Sequence, residues 1–401
     1  MSATGTGDAG SSTGGGAPLH VGVNLLWLVP GVVGGSEEYT TRLLRALHEA
    51  SPPDLRLTLF ALAPFAEAHP DLAQAFPTAT VDLDGRRRPQ RVAAEATWLA
   101  REARRHGVDL LHHAGGVVPP GPVGRVPVVL TIHDLQPLLE PRNFSKVKRR
   151  WLAAMLPRSA ARARLVLTPS DPASTSVVEH LGVPADRVRT VPHGVEPPAP
   201  VDPARLERVR ERYHLGARSV LYPAITYPHK DHVTLLRAFA RLAGDRPDLT
   251  LVLTGGPGPS EAEVAAAVRA TGVGEQVRRT GRVPWDDLDA LYELATVVAV
   301  PSRFEGFGAP ALEAMAAGTP VVAADATALP WVVGDGGRLV APGDVDGWAA
   351  ALAAVVDDPA EQARLAAVGR RRATAFTWSR AASALADGYR IAAGRRVDAA
   401  S

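Results

Sequence analysis

Short, almost unbroken apolar runs alternate along this chain with longer stretches in which apolar residues return every three or four positions. The runs at 20–26, 55–61, 108–111, 126–132 and 165–168 predict strands, and the periodic stretches at 36–50, 89–106, 146–164 and 173–181 predict helices. Runs without polar alternation belong to strands covered on both faces, so the order predicts a parallel sheet wrapped by helices. The pattern pauses at the proline-rich residues 195–203, a stiff composition that suits a linker between domains. A second series follows, with strands at 219–222, 250–254, 277–279, 296–300 and 321–324 and helices at 232–242, 261–271 and 285–294. Residues 378–391 form a last amphipathic segment, and no repeat of 20 to 50 residues interrupts the scheme.

Composition narrows the class. A chain of 401 residues, 46% hydrophobic, is long enough for two cores. The absence of cysteine excludes disulfide staples and thiolate chemistry and accords with a cytoplasmic setting. Residues 1–16 are rich in Gly, Ser and Thr, without the basic and apolar regions of a signal peptide, and are expected to be disordered. No apolar stretch reaches the ~18 residues of a membrane span. The net charge of +2 is small, but it is clustered at 86–88 and 146–150. The second cluster leads into Trp151, Leu152, Met155 and Leu156 and reads in two ways: as a basic amphipathic helix in peripheral contact with an anionic membrane, or as a helix packing its apolar stripe on its own domain. No nucleic-acid partner is expected.

The chemistry concentrates at 301–318, where Glu305 and Glu313 are separated by seven residues. The apolar strand at 296–300 ends at Pro301, Gly306 and Gly308 loosen the loop, and Pro310 suits the first position of a helix that Gly318 stops. Glu313 is thereby expected in the first helical turn and Glu305 at the carboxyl end of a strand, where ligands of open α/β sheets bind. Each carboxylate alone has a plainer reading, Glu313 as a helix cap and Glu305 as a solvated loop residue. Their fixed spacing around Gly306, Phe307 and Gly308 is more specific than either.

This segment resembles the E-x7-E signature of the retaining family 4 glycosyltransferases, and weaker motifs extend the resemblance from about residue 21 to residue 378. It implies the α/β fold called GT-B: two Rossmann-like domains whose parallel sheets face a central cleft. Residues 18–196 would form the acceptor domain, completed by a C-terminal helix at 377–395 that crosses back, and residues 197–376 the donor domain, with 1–17 a disordered N-terminal segment. It also implies that Glu313 holds the nucleotide ribose, that Glu305 lies beside the donor sugar, and that backbone amides of Gly306, Phe307 and Gly308 contact sugar or phosphate.

The remaining motifs fit that frame. Gly34-Gly35 follows the first strand and opens a helix, a place where backbone N–H groups approach an anion, and the family has a similar phosphate and acceptor loop. It is not the dinucleotide fingerprint, which disfavours a dehydrogenase. His133 ends the strand at 126–132; read alone it is an ordinary buried histidine, and in the family a histidine here sits near the donor sugar. The sequence His133-Asp134-Leu135-Gln136-Pro137 resembles a bacterial subgroup containing mannosyltransferases. His112 and His113 are weaker candidates, and His193-Gly194 reads as a turn at the domain junction. Lys230 matches a cation that the family directs at the donor diphosphate. His229 stands where Arg is common, and residues 224–226 lack another Arg; Arg303 could supply the charge. Gly255, Gly256 and Gly281-Arg282-Val283 match loops near the nucleotide.

The implied reaction moves a sugar from a nucleotide diphosphate donor, with mannose from GDP-mannose the first choice, to a hydroxyl of a glycan, lipid-linked or small-molecule acceptor. The anomeric configuration is retained. No cofactor or metal is expected: no His/Asp/Glu cluster has ligand spacing, and Asp82-Leu83-Asp84 is not at a strand end. The rival readings are a nucleotide-sugar epimerase of the same fold and a non-catalytic nucleotide-sugar-binding protein.

Overall fold

The computed structural model describes residues 17–120, 126–395 and 397. The expectation of disorder at 1–17 falls outside the described residues apart from Ala17, whose carbonyl accepts from Arg395 Nη2 at 2.8 Å. The described chain forms two parallel sheets. The first has seven strands, β1 (Leu19–Asn24), β2 (Leu55–Leu62), β3 (Thr78–Val81), β4 (Leu110–His113), β5 (Val128–Thr131), β6 (Leu165–Thr168) and β7 (Val188–Thr190), in the spatial order β3-β2-β1-β4-β5-β6-β7. The second has six, β8 (Arg218–Pro223), β9 (Leu249–Thr254), β10 (Val277–Gly281), β11 (Val297–Val300), β12 (Val321–Ala324) and β13 (Gly337–Val340), in the order β10-β9-β8-β11-β12-β13. Strand order reverses beside β1 and β4 in one sheet and beside β8 and β11 in the other. A crevice opens at the carboxyl ends of strands on either side of such a reversal.

The buried strands are those that pattern alone marks: β1, β4, β5, β6, β9, β11 and β12 have every residue buried. The second half closes over one continuous apolar core, with Phe239, Met315, Trp348 and Leu365 at its centre. The first half packs separate clusters on its sheet faces. In one of them Leu152, Leu156 and Ala160 of the basic helix Lys146–Arg162 lie against Val128, Leu130 and Val166, so the apolar stripe is spent on its own domain. Helix Trp378–Ala392 follows the second half in sequence but packs on helix Gly35–Ala50 of the first, burying Trp378, Leu385 and Tyr389. Arg390 ties it there through Asp54, at 2.7 and 2.9 Å.

Two local expectations need correction. Pro203, the last residue of the proline-rich stretch, is already the first of helix Pro203–Arg212, capped by Asp202, whose carboxylate accepts from Ala204 N at 3.1 Å. Glu313 is not in the first turn of its helix. That helix is Ala309–Ala317, because Gly308, with φ 104°, is its cap, which leaves Glu313 in the second turn.

The halves touch. Ser170 Oγ donates to the Gly306 carbonyl at 2.7 Å, Trp331 Nε1 to the Asp171 carboxylate at 3.1 Å, and Arg282 Nη2 to the Gly31 carbonyl at 3.3 Å. No described helix is long and apolar enough to cross a membrane.

Candidate active site

At the carboxyl end of β11 the chain turns through Pro301 into the loop that carries Glu305, and at the end of β8 it runs through a short 3₁₀ turn, Pro228–Lys230. These two loops flank the strand reversal of the second sheet, and they bring Lys230 and Glu305 together from 75 positions apart. Lys230 Nζ donates to Glu305 Oε1 at 2.6 Å, with the side chains 18% and 12% exposed. The geometry around them is fixed. Tyr222 Oη donates to the Lys230 carbonyl at 2.8 Å and lies 3.0 Å from Ser302 Oγ; Thr327 Oγ1 accepts from Glu305 N at 2.9 Å. Burial disfavours the Glu305 carboxylate, but the adjacent ammonium outweighs it and holds the carboxyl below its usual range. The result is a buried group that stays ionised.

Glu313 lies further on, in the second turn of the helix that this loop enters. Tyr292 Oη donates to it at 2.6 Å. Burial pushes its carboxyl up despite that bond, and Arg42, reaching from the first half with its guanidinium 5.7 Å from the Trp285 ring, opposes the rise. The two carboxylates therefore differ in kind: one is paired with a cation, the other is hydrogen-bonded by a phenol and has acceptor capacity left for hydroxyl groups.

The glycines of this loop are explained by contact. A Cβ on Gly306 would stand 2.2 Å from the His133 carbonyl of the other half, and one on Gly308 would meet Leu329 at 2.6 Å. Gly255, at φ 120°, would place a Cβ 2.5 Å from the Ala224 carbonyl. Phe307 is buried, 3% exposed, and its ring stacks on His193 at 4.5 Å and 10°, so His193 does more than make a turn.

The first half supplies the facing wall. His133, beyond the end of β5, donates from Nε2 to the Ala114 carbonyl at 3.1 Å, and Tyr39 packs edge-on to its ring at 5.4 Å. Burial lowers its pKa to about 4, so the ring is neutral and Nδ1 keeps a free lone pair. Gly34, with φ 66°, caps helix Gly35–Ala50, and the space above both glycines is open. His112 and His113 serve the core instead: His112 bridges Tyr389 Oη and Thr131 Oγ1 at 2.9 and 2.8 Å, and His113 meets Asn24 at 3.1 Å. Arg303 is bonded to Asp231 at 2.7 Å rather than free to replace a missing cation.

Several neighbours escaped sequence reasoning. Tyr222, Ser302 and Thr327 carry no motif, and Tyr292 lies on a different helix from the carboxylate it holds. Arg42 had a signal, one turn beyond Glu38 on the same face of the helix that the Gly34-Gly35 loop opens.

Two parallel sheets facing one cleft, with polar loops at both strand reversals, define a GT-B architecture. The profile of glycosyl transferases group 1 matches residues 207–372 and that of glycosyltransferase family 4 matches residues 33–198. The chain is similar to an O-antigen chain mannosyltransferase B of Escherichia coli, 31% identical over 298 residues, covering 73% of this chain and 76% of that one. It also resembles an MMP alpha-(1->4)-mannosyltransferase of Mycolicibacterium hassiacum, 34% identical over 274 residues, covering 64% and 63%. Among solved structures, the Anabaena HepE protein in complex with UDP and glucose superposes with a TM-score of 0.72 at 21% identity, over 92% of this chain and 98% of that one. The chain belongs to glycosyltransferase family 4 and is a glycosyltransferase.

Proposed function

We propose that the protein transfers a hexose, with mannose from GDP-mannose as first choice, from a nucleotide diphosphate donor to an acceptor hydroxyl, with retention of configuration and without a metal ion. The observation that carries this reading is the buried Lys230–Glu305 pair at the strand reversal, with Glu313 in the helix that follows and His133 on the other half against the same loop. The names of the two mannosyltransferase relatives support the choice of sugar.

Departure of the diphosphate leaves positive charge on the anomeric carbon and negative charge on the leaving oxygens, and the site must stabilise both. Lys230 would exchange Glu305 for the diphosphate as that charge develops, aided by the N-terminal ends of helices Ala309–Ala317 and Gly35–Ala50. Glu305, freed in part, would hold sugar hydroxyls and face the cationic carbon. Neutral His133 would accept a sugar hydroxyl at Nδ1. Glu313 would accept both ribose hydroxyls. The acceptor would attack on the face the diphosphate leaves, its proton passing to the departing phosphate, so that no second carboxylate base is required.

The test supplies GDP-mannose or UDP-glucose with an acceptor panel and follows the product by NMR. Sugar transfer with the donor's anomeric configuration, undiminished by EDTA, is expected. An inverted product, a strict Mn²⁺ or Mg²⁺ requirement, or release of an epimerised sugar from donor alone would reject the proposal. A thermal-shift screen of nucleoside diphosphates identifies the base, since a ligand at ~100 times its Kd adds ~2.7 kcal/mol.

A further inference from the structure

The loop that carries Glu305 is held in part by a ring from outside its own half. Phe307 lies two residues beyond Glu305 and is buried. Phe376 and Trp331 meet its ring at 81° and 75°, with centroids 5.8 and 6.1 Å away. Its closest ring contact is with His193, stacked at 4.5 Å and 10°. His193 stands on the first passage between the halves, just after β7. The first half grips that passage where it begins: Val191 N donates to the Thr168 carbonyl and Tyr39 Oη to the Val191 carbonyl, each at 2.8 Å. The Tyr39 ring then lies 4.4 Å from that of His193 and 5.4 Å from that of His133.

A row of four rings results: His133, Tyr39, His193 and Phe307. It runs from the strand end of the first half to the Glu305 loop of the second, so its two ends adjoin the two groups placed beside the sugar. Among the described residues no ring contact joins Tyr39 or His133 to Phe307 directly, which makes His193 the link.

The chemistry of His193 suits a spacer rather than a proton carrier. Burial first, and then His133, depress its pKa to about 3, so the ring is neutral. Its nitrogens make no hydrogen bond among the described residues. What it offers is a flat face, and the attraction between stacked rings depends on their tilt and offset. The backbone beneath the ring has little room to compensate. A Cβ on Gly194 would stand 2.2 Å from the Trp378 nitrogen, and Val195 N is bonded to the Phe376 carbonyl at 2.9 Å. A change of angle at the passage therefore tilts His193 on Phe307 or draws it away from Tyr39.

We propose that His193 is a positioning residue for Glu305: through Phe307 it carries the seating of the first half into residues 305–308, which take their donor-binding arrangement when Tyr39, His193 and Phe307 are in contact. Glu305 is then set by closure of the halves as well as by Lys230. The role for Glu305 rests on the donor-site reading above; the coupling of Tyr39 to the loop stands apart from it.

The test is amide hydrogen exchange by mass spectrometry on the full chain, followed over residues 303–309 without ligand and with GDP or UDP. Calorimetry of the same diphosphates and release of sugar from GDP-mannose and UDP-glucose accompany it. In Tyr39→Leu, whose side chain makes no ring contact with the loop, exchange at 305–308 should quicken ~2- to 10-fold, and it should do the same in His193→Ala. His193→Phe keeps a flat ring and should restore slow exchange, whereas His193→Leu, apolar but not flat, should not. Sugar release should fall ~10- to 100-fold in the Ala and Leu variants of His193, a larger change than in diphosphate affinity, and recover in His193→Phe. Unchanged loop exchange in a folded Tyr39→Leu, or equal rescue by Phe and Leu at His193, would overturn the proposal and leave His193 as packing alone. If Tyr39→Leu does not fold, the contrast of Phe with Leu decides. Absence of sugar release by the unaltered chain from either donor would instead reject the donor-site reading, while the exchange rates still decide the coupling.

Discussion

Glu305 is a carboxylate kept charged in a place that favours its neutral form, and Lys230 is what keeps it so. With its folded pKa below the unfolded value, the group contributes stability that is present above the unfolded pKa and lost as pH falls through the folded one. Lys230→Met removes the cation, so the Glu305 pKa should rise and the acid limb of the rate profile should move to higher pH; a limb that stays in place would show that the pair does not govern it. The buried charge left unpaired should also cost about 3–5 kcal/mol in denaturant unfolding. Glu305→Gln should cut kcat by ~10²–10³ and leave nucleoside diphosphate affinity nearly unchanged, as kinetics and calorimetry would show. Gly306→Ala places a methyl group against the His133 carbonyl, at a residue whose backbone is not in the left-handed region. It should disturb the register of the two halves, with turnover falling ~100-fold while diphosphate binding and unfolding of the second half hold.

Among the elements, helix Trp378–Ala392 does the most for the fold it joins last. Leu385 is 1% exposed in the first half's core, so Leu385→Ala should cost about 2–5 kcal/mol and lower only the transition of the first half in differential scanning calorimetry. A uniform shift of one single transition would mean that the halves unfold together. The same scale shows what the sequence could and could not convey. Strands such as β11, with Val297, Val298 and Val300 all buried, announce themselves by apolar runs. The edge strands β7 and β13 do not, since Val188-Arg189-Thr190 and Gly337-Arg338-Leu339 are partly exposed and mix charge with apolar residues. The loop glycines and the two carboxylates were legible because their spacing is local. The bond between Lys230 and Glu305, and the phenol of Tyr292 on Glu313, join residues on separate loops and helices, which periodicity cannot report.

At the scale of the molecule, the contacts of Ser170 with Gly306, Trp331 with Asp171 and Arg282 with Gly31 describe closed halves. A donor the size of a nucleotide sugar needs them apart. Without ligand, small-angle scattering should give a radius of gyration larger than that of this structure, and saturating nucleoside diphosphate should shrink it while protecting residues 193–203 from proteolysis. Equal values in both conditions, with unchanged cleavage, would reject opening and closing as part of the cycle.

The chain passes between the halves twice, and the two passages meet. Val195 N donates to the Phe376 carbonyl at 2.9 Å, and a Cβ on Gly194 would lie 2.2 Å from the Trp378 nitrogen. Joined there, the two crossings form one junction rather than two separate tethers. A hinge at this junction would bend both crossings together, so a change that loosens one, such as a side chain at Gly194 pressed against Trp378, should loosen the other.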